Sequence, residues 1–239
     1  MDFKYQRDIF SKRYKENEKK DYNAKREPAA RHRRAPAAPE ELKYKDTGIN
    51  FLMDSTPELP SPGTSYLNLV QRGDGPEQRT GRNIMMKSLH VSFICKYTIA
   101  GTSLGSTVAT IYIIMDTQPN IGAAPVYADV FKSLSTGFTD CLPISLVNLQ
   151  KQPRFRILKK FTFELNVFLE FAAVRNGTIH KYFSYYQKMN TPMSYNDGTG
   201  ADAPCQNRIF MMAACSEALN DDVMEVYGNA RLRFTDNTI

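Results

Sequence analysis

Ile84-Met85-Met86-Lys87-Ser88-Leu89-His90-Val91-Ser92-Phe93-Ile94-Cys95 is the stretch on which the fold turns. From Lys87 onward it alternates: Leu89, Val91 and Phe93 fall on one side, and Ser88, His90 and Ser92 on the other. Successive side chains of a strand point to opposite faces, so a period of two predicts a half-buried β-strand. The same grammar recurs on the C-terminal side. Thr107 to Met115 (TVATIYIIM) is a β-branched run bounded by Gly105 and by Asp116 to Asn120. Arg154 to Leu165 sets Phe155, Ile157, Lys159, Phe161 and Phe163 in alternation. Ile179 to Gln187, Arg208 to Cys215 and Met224 to Phe234 follow, each ended by Gly, Pro, Asn or Asp.

One segment departs from this rhythm. Val126, Val130 and Phe131 have helical spacing behind Pro125, a residue suited to the first helical position, and this predicts a short helix between strands. On the N-terminal side, Asp54 to Arg82 is rich in Pro and Gly and reads as loop, with one short strand at Tyr66 to Val70. Seven or eight turn-punctuated strands without an internal repeat predict an all-β antiparallel sandwich or barrel.

Residues 1–45 obey different physics. Between Lys12 and Arg34 stand ten basic residues: Lys12, Arg13, Lys15, Lys19, Lys20, Lys25, Arg26, Arg31, Arg33 and Arg34. Four acidic residues accompany them, so this stretch alone carries +6, the formal charge of the whole 239-residue chain. Aliphatic residues are almost absent, and Pro28, Pro36 and Pro39 interrupt any helix. Such a segment cannot bury enough apolar surface to offset its ordering entropy and is expected to be disordered when free. Residues 3–22 can become helical on binding, because Phe3, Phe10 and Tyr14 share a face. Lys and Arg interleaved with Tyr5, Tyr14 and Tyr22 suit a single-stranded polyanion, with charges on phosphate and rings free to stack on bases. Arg31-His32-Arg33-Arg34 also fits a localisation signal read by a nuclear import receptor. The expected organisation is a basic arm (1–45), a linker and loop (46–82) and a β domain (83–239).

Other functions find little support. The three histidines (His32, His90, His180) are scattered, and no nucleophile elbow, zinc-protease, phosphate-loop or dinucleotide motif is present, so the chain is not read as an enzyme. Asn196-Asp197-Gly198-Thr199-Gly200-Ala201-Asp202 is oxygen-rich, and Asp197 and Asp202 are weak candidates for a structural Ca2+. The run lacks the terminal Glu of a calcium loop and reads first as a turn, so no cofactor is expected. Cys95, Cys141, Cys205 and Cys215 are widely spaced and read as reduced thiols. The first twenty residues lack the apolar core of a secretory signal, and no run reaches a membrane span, so a soluble protein without a membrane partner is expected.

Four motifs resemble one family. Arg79-Thr80-Gly81-Arg82-Asn83-Ile84 with Lys87-Ser88-Leu89 looks like the "R-x-G-R-x-I-x-x-K-S-L" that opens a jelly-roll strand in coat proteins of circular, Rep-encoding single-stranded DNA viruses and of satellite tobacco necrosis virus. Asp116-Thr117-Gln118-Pro119-Asn120, Gly122 to Pro125 and Asp129-Val130-Phe131 resemble "D-x-Q-x-N-G-x-x-P-x-x-x-D-V-L", with Ile121 inserted before the glycine. Asn148-Leu149 and Arg154 to Lys160 resemble "N-x-x-N-R-x-R-F-x-I-L-K-D", with Lys160 in place of the acid. Gly228 to Asp236 is similar to the last strand of these proteins and of geminivirus coat proteins.

The resemblance covers residues 79–239 and implies an eight-stranded jelly roll. It further implies assembly of about sixty copies into a small icosahedral shell, with the arm on the genome and loops at subunit contacts. Val126, Val130 and Phe131 are the contact candidates. The implied location is the virion, with passage through the host nucleus. The wording of the motifs favours single-stranded DNA as cargo. A satellite-virus-like coat on single-stranded RNA and a non-capsid nucleic-acid-binding or nuclear shuttle protein are the alternatives.

Overall fold

The computed structural model describes residues 41–53, 66–99, 106–119, 125, 127–132, 146–166, 177–196, 204–215 and 223–236. The chain divides into residues 1–40 and a compact unit, Glu41–Ile239. The ten arm cations, Val126, Asp197 and Asp202 lie outside the described residues.

Among the described residues the compact unit has seven strands: β1 (Leu42–Met53), β2 (Asn83–Ile99), β3 (Ser106–Asp116), β4 (Phe155–Asn166), β5 (Gly177–Ser194), β6 (Arg208–Cys215) and β7 (Val223–Asp236). A single turn of helix, α1 (Tyr127–Val130), follows β3. The four-stranded sheet runs β1-β7-β2-β5, and the three-stranded sheet runs β4-β3-β6.

The pairings are nested along the chain. β1 pairs with β7, β2 with β5 and β3 with β4, all antiparallel. Between the first and second of these lies a fourth: Tyr66 bridges Phe210 of β6, and the Leu67 N–H donates to the Ile209 carbonyl at 2.9 Å. One long hairpin folded back on itself gives this nesting, and rolling it sends alternate pairs to alternate sheets. That is the jelly roll. The expected eighth strand is thus reduced to a bridge in its proper place beside β6. Asn68 explains why the ladder stops there. Its Oδ1 takes the Ile209 N–H at 2.9 Å and its Nδ2 donates to the Asn207 carbonyl at 2.9 Å, so a buried side chain does what a strand's backbone would do.

β1 corrects the expected boundary at residue 45. It spans the junction between the segments read as arm and linker and pairs with β7 along its whole length. Its inward positions are Lys43, Lys45, Thr47, Ile49 and Phe51, while Leu42 and Tyr44 point outward at 54% and 39% exposure. Period two is present, but over the first half its polarity is reversed. Lys43 is tolerated inside because its ammonium meets Asp236 at 2.8 Å and Thr80 Oγ1 at 3.2 Å. Burial would raise the Asp236 carboxyl, but hydrogen bonds from Lys43 and Thr80 hold it below its usual value.

Two bulges reset which face is buried. In β2, Ile84 and Met86 are buried at even positions, the register slips between Met86 and Ser88, and burial then continues at Leu89, Val91, Phe93, Cys95 and Tyr97. One extra residue exchanges the faces. In β4 the slip falls opposite Ile113 and Ile114, leaving Leu158 extra. Phe155 and Ile157 therefore face away from the sandwich, while Leu158, Phe161 and Phe163 pack into it. The single stripe read from the sequence is two half-stripes on opposite faces. β5 runs on past Gln187 through Pro192, which a strand at the sheet edge accommodates because no ladder partner needs its missing N–H.

Two apolar clusters result. The larger fills the space between the sheets, with Leu89, Val91, Phe93, Ile111, Ile113, Met211, Val226 and Leu232 among its members. The smaller coats the outer face of the three-stranded sheet, where Tyr66, Tyr127, Val130 and Phe131 cover Tyr112, Ile114, Phe155, Phe210 and Met212. β3 is therefore buried on both sides, which is why TVATIYIIM is apolar without alternation. Burial of the Tyr112 phenol pushes its pKa up to about 12. Val130 and Phe131, at 1% exposure each, are used inside their own subunit. That packing leaves the two side chains almost no surface of their own for a neighbouring copy. Their helical spacing records packing onto Tyr112, whose ring lies 4.6 Å from that of Phe131.

Candidate nucleic-acid interface

Three of the four sheet faces are covered by the two clusters. Among the described residues neither cluster covers the outer face of the four-stranded sheet, and the register fixes what stands on it. Reading across β1, β7, β2 and β5, one row is Tyr44, Arg233, Ser88 and Lys188. The next is Asp46, Arg231, His90 and Tyr186, and a third is Asn50, Tyr227, Ile94 and Tyr182. Tyr182 and Tyr186 are 74% and 65% exposed, Tyr44 and Tyr227 39% and 37%.

The charges on this face are partly matched. Arg231 grips Asp46 through two bonds of 2.7 Å, and that bond from Arg231 holds the Asp46 carboxyl below its usual value. Lys96 meets Glu225 at 2.8 Å, and the bond raises the lysine. Both pairs lie in solvent and orient side chains more than they stabilise the fold. Among the described residues no carboxylate pairs with Arg233 or Lys188. Four cations against two carboxylates leave the face positive, with His90 and His180 also exposed on it. His90 Nε2, Ser92 Oγ and Ser184 Oγ stand 3.3 Å apart in a closed triangle, and Tyr186 meets the imidazole edge-on with centroids 6.4 Å apart.

Sequence reading placed the polyanion contacts in the arm and passed over this face. A signal was present in Lys181-Tyr182-Phe183-Ser184-Tyr185-Tyr186-Gln187-Lys188, where both faces of one strand carry aromatics. Phe183 and Tyr185 are the packed set, so Tyr182 and Tyr186 are left outside. The arginines of the opening motif, by contrast, are structural. Arg79 is 3% exposed, donates to the Val70 and Gly81 carbonyls at 3.1 and 2.7 Å, and stacks 4.1 Å from the Tyr195 ring centroid. Arg82 donates to the Tyr195 carbonyl at 2.9 Å.

Among the described residues no group of three His, Cys, Asp or Glu lies close enough to hold a metal ion. Cys95 is a buried thiol and Cys205 a partly exposed one.

The model of the geminivirus coat protein/nuclear export factor BR1 family matches residues 2–239. This chain belongs to that family. It is a coat protein of a single-stranded DNA virus family, as its four motifs implied, and its place is the virion. Among curated proteins, none matches this chain. A solved structure titled "Crystal structure of 60-mer BFDV Capsid Protein" is similar at 9% identity, covering 83% of this chain and 95% of that one, with a TM-score of 0.25. The family match extends through the basic arm as well as the sandwich, and so takes in both regions separated by charge.

Proposed function

We propose that this coat protein associates with copies of itself into a closed icosahedral shell of about sixty subunits and packages single-stranded DNA through its N-terminal arm. The observation that carries the reading is the partition of charge. Residues 1–40 hold twelve of the 31 Lys and Arg and seven of the 25 Asp and Glu, which leaves 19 against 18 in residues 41–239. A near-neutral folded unit can pack against itself without strong repulsion, while the arm neutralises the phosphates that would oppose confinement of a genome. The family's description also names a nuclear export factor, and Arg31-His32-Arg33-Arg34 suits carriage through the nucleus by an import receptor. Nuclear shuttling is the second reading. It requires nucleic-acid binding but no self-association.

Deletion of residues 1–40 tests the division of labour. The shortened protein should still form shells, because β1 and its Lys43–Asp236 contact are retained. Those shells should lose the ultraviolet absorbance of packaged nucleic acid. For the full chain, binding to single strands should weaken by about two and a half to four orders of magnitude between 50 and 200 mM salt if six to ten phosphates are contacted. Shells that carry as much nucleic acid after the deletion as before it would contradict the arm's role.

A further inference from the structure

The open face of the four-stranded sheet carries a binding site of its own. We propose that Tyr182, Tyr186 and Tyr227, flanked by Arg233 and Lys188, form a platform on which unpaired bases stack while the cations hold the intervening phosphates. The inference rests on the packaging reading above and adds an ordered contact surface to the arm.

Exposed tyrosines on a strand have an energetic cause to be buried by something, since each ring presents a large apolar area. Here the rings stand on a rigid four-stranded support rather than on loops. Tyr227 and Tyr182 occupy one row with Ile94 between them, about 10 Å apart at ordinary strand spacing. Tyr186 lies four residues along β5 from Tyr182, about 14 Å at the usual rise. Aromatic rings on an antiparallel four-stranded sheet are a known physical solution for reading single strands, because every base has a face to stack and a duplex has none to offer. The surroundings select a polyanion over an apolar partner. Arg233 and Lys188 flank Ser88 in one row, while Arg231 is fixed by Asp46 in the next. An apolar protein surface placed here would have to bury these charges.

Replacing both Tyr182 and Tyr186 by threonine in the full chain removes the rings and keeps strand propensity at exposed positions. Affinity for oligodeoxythymidine should fall about tenfold or more, while the slope of affinity against salt stays unchanged because no charge is lost. Tyr182→Phe with Tyr186→Phe should bind as the parent does, since stacking needs the ring and not the hydroxyl. Photocrosslinking to an oligonucleotide carrying iodouracil should map to Tyr182, Tyr186 or Tyr227. Crosslinks confined to residues 1–40, with unchanged affinity in the threonine variant, would overturn the platform and leave packaging by the arm intact. A parent protein that binds no oligonucleotide would overturn both. A threonine variant that binds normally but no longer assembles would assign the face to contact between copies, and that too overturns the platform.

Discussion

Gly228→Ala is expected to destabilise the folded unit by about 3 kcal/mol or more, which lowers the melting temperature by about 6–12 °C in a domain of this size. Gly228 sits in β7, enclosed between β1 and β2 and opposite Phe93. A Cβ added there would stand 2.2 Å from the Ser92 carbonyl oxygen and 2.6 Å from the Phe93 Cα. Both are backbone atoms of the neighbouring strand, and β7 has no free side toward which to move. The register across β1, β7 and β2 has to open, and with it the packing of Val91, Phe93 and Val226 beneath. Gly48 supplies the control. It lies one strand away and one row along, opposite Asn229, and an added Cβ meets nothing within 4 Å. Gly48→Ala should be neutral or slightly stabilising through the unfolded chain's lost freedom. Equal melting temperatures for the two variants would contradict the close approach of β7 and β2.

Asp116→Ala is the second large effect, with an expected cost of about 3–5 kcal/mol, the usual penalty for breaking a buried pair by removing one partner. The Asp116 side chain is fully buried at the end of β3. It accepts two 2.8 Å bonds from Arg154, one 3.1 Å bond from the Gln118 N–H, and has Arg208 at 3.8 Å. Its partnership with Arg154 raises the pKa of that guanidinium. Without the carboxylate, Arg154 and the 4%-exposed Arg208 lose this negative charge beside them, and the turn after β3 loses its anchor. Chemical denaturation of the dissociated protein measures the loss as a lower midpoint. Asp46→Ala, which breaks the solvent-exposed pair with Arg231, should leave the midpoint almost unchanged.

These two sites show what the sequence revealed and what it hid. Strand existence was legible wherever one face was apolar, as in Leu89, Val91 and Phe93, and β6 was bounded correctly at both ends by its apolar run. β1 was hidden because its inward positions begin with two lysines, and the partners that make Lys43 acceptable inside, Asp236 and Thr80, lie far along the chain. The bulges at Lys87 and Leu158 were hidden because a one-residue slip leaves composition unchanged while it exchanges faces. Composition likewise could not separate an arginine that holds a loop from one that meets phosphate. Arg79, Arg82, Arg154 and Asp116 carry much of the family resemblance, and each is tied to other residues of its own folded unit. The motifs therefore mark a fold. The proposed capacity for nucleic acid rests on the arm's composition and on the exposure of the sheet-face tyrosines.

Self-association is the property that separates a shell protein from a shuttle, and the sandwich suits it physically. In the proposed shell, contacts between copies would use surface beside the smaller cluster rather than the residues it buries. Leu146 and Leu149, at 67% and 75% exposure, flank Asn148 on a loop tied to α1 by the Asn148 N–H to the Val130 carbonyl at 2.8 Å and by the Lys151–Asp129 pair. A firmly held loop with apolar tips is the kind of surface that a neighbouring subunit covers.

Electron microscopy of the purified full-length protein, with nuclease digestion of its contents, tests the coat reading most directly. Closed particles of one size are expected, holding nucleic acid that deoxyribonuclease removes once the shell is opened. Protein that stays monomeric at high concentration, with or without single-stranded DNA, would contradict the shell and leave the shuttle reading in its place.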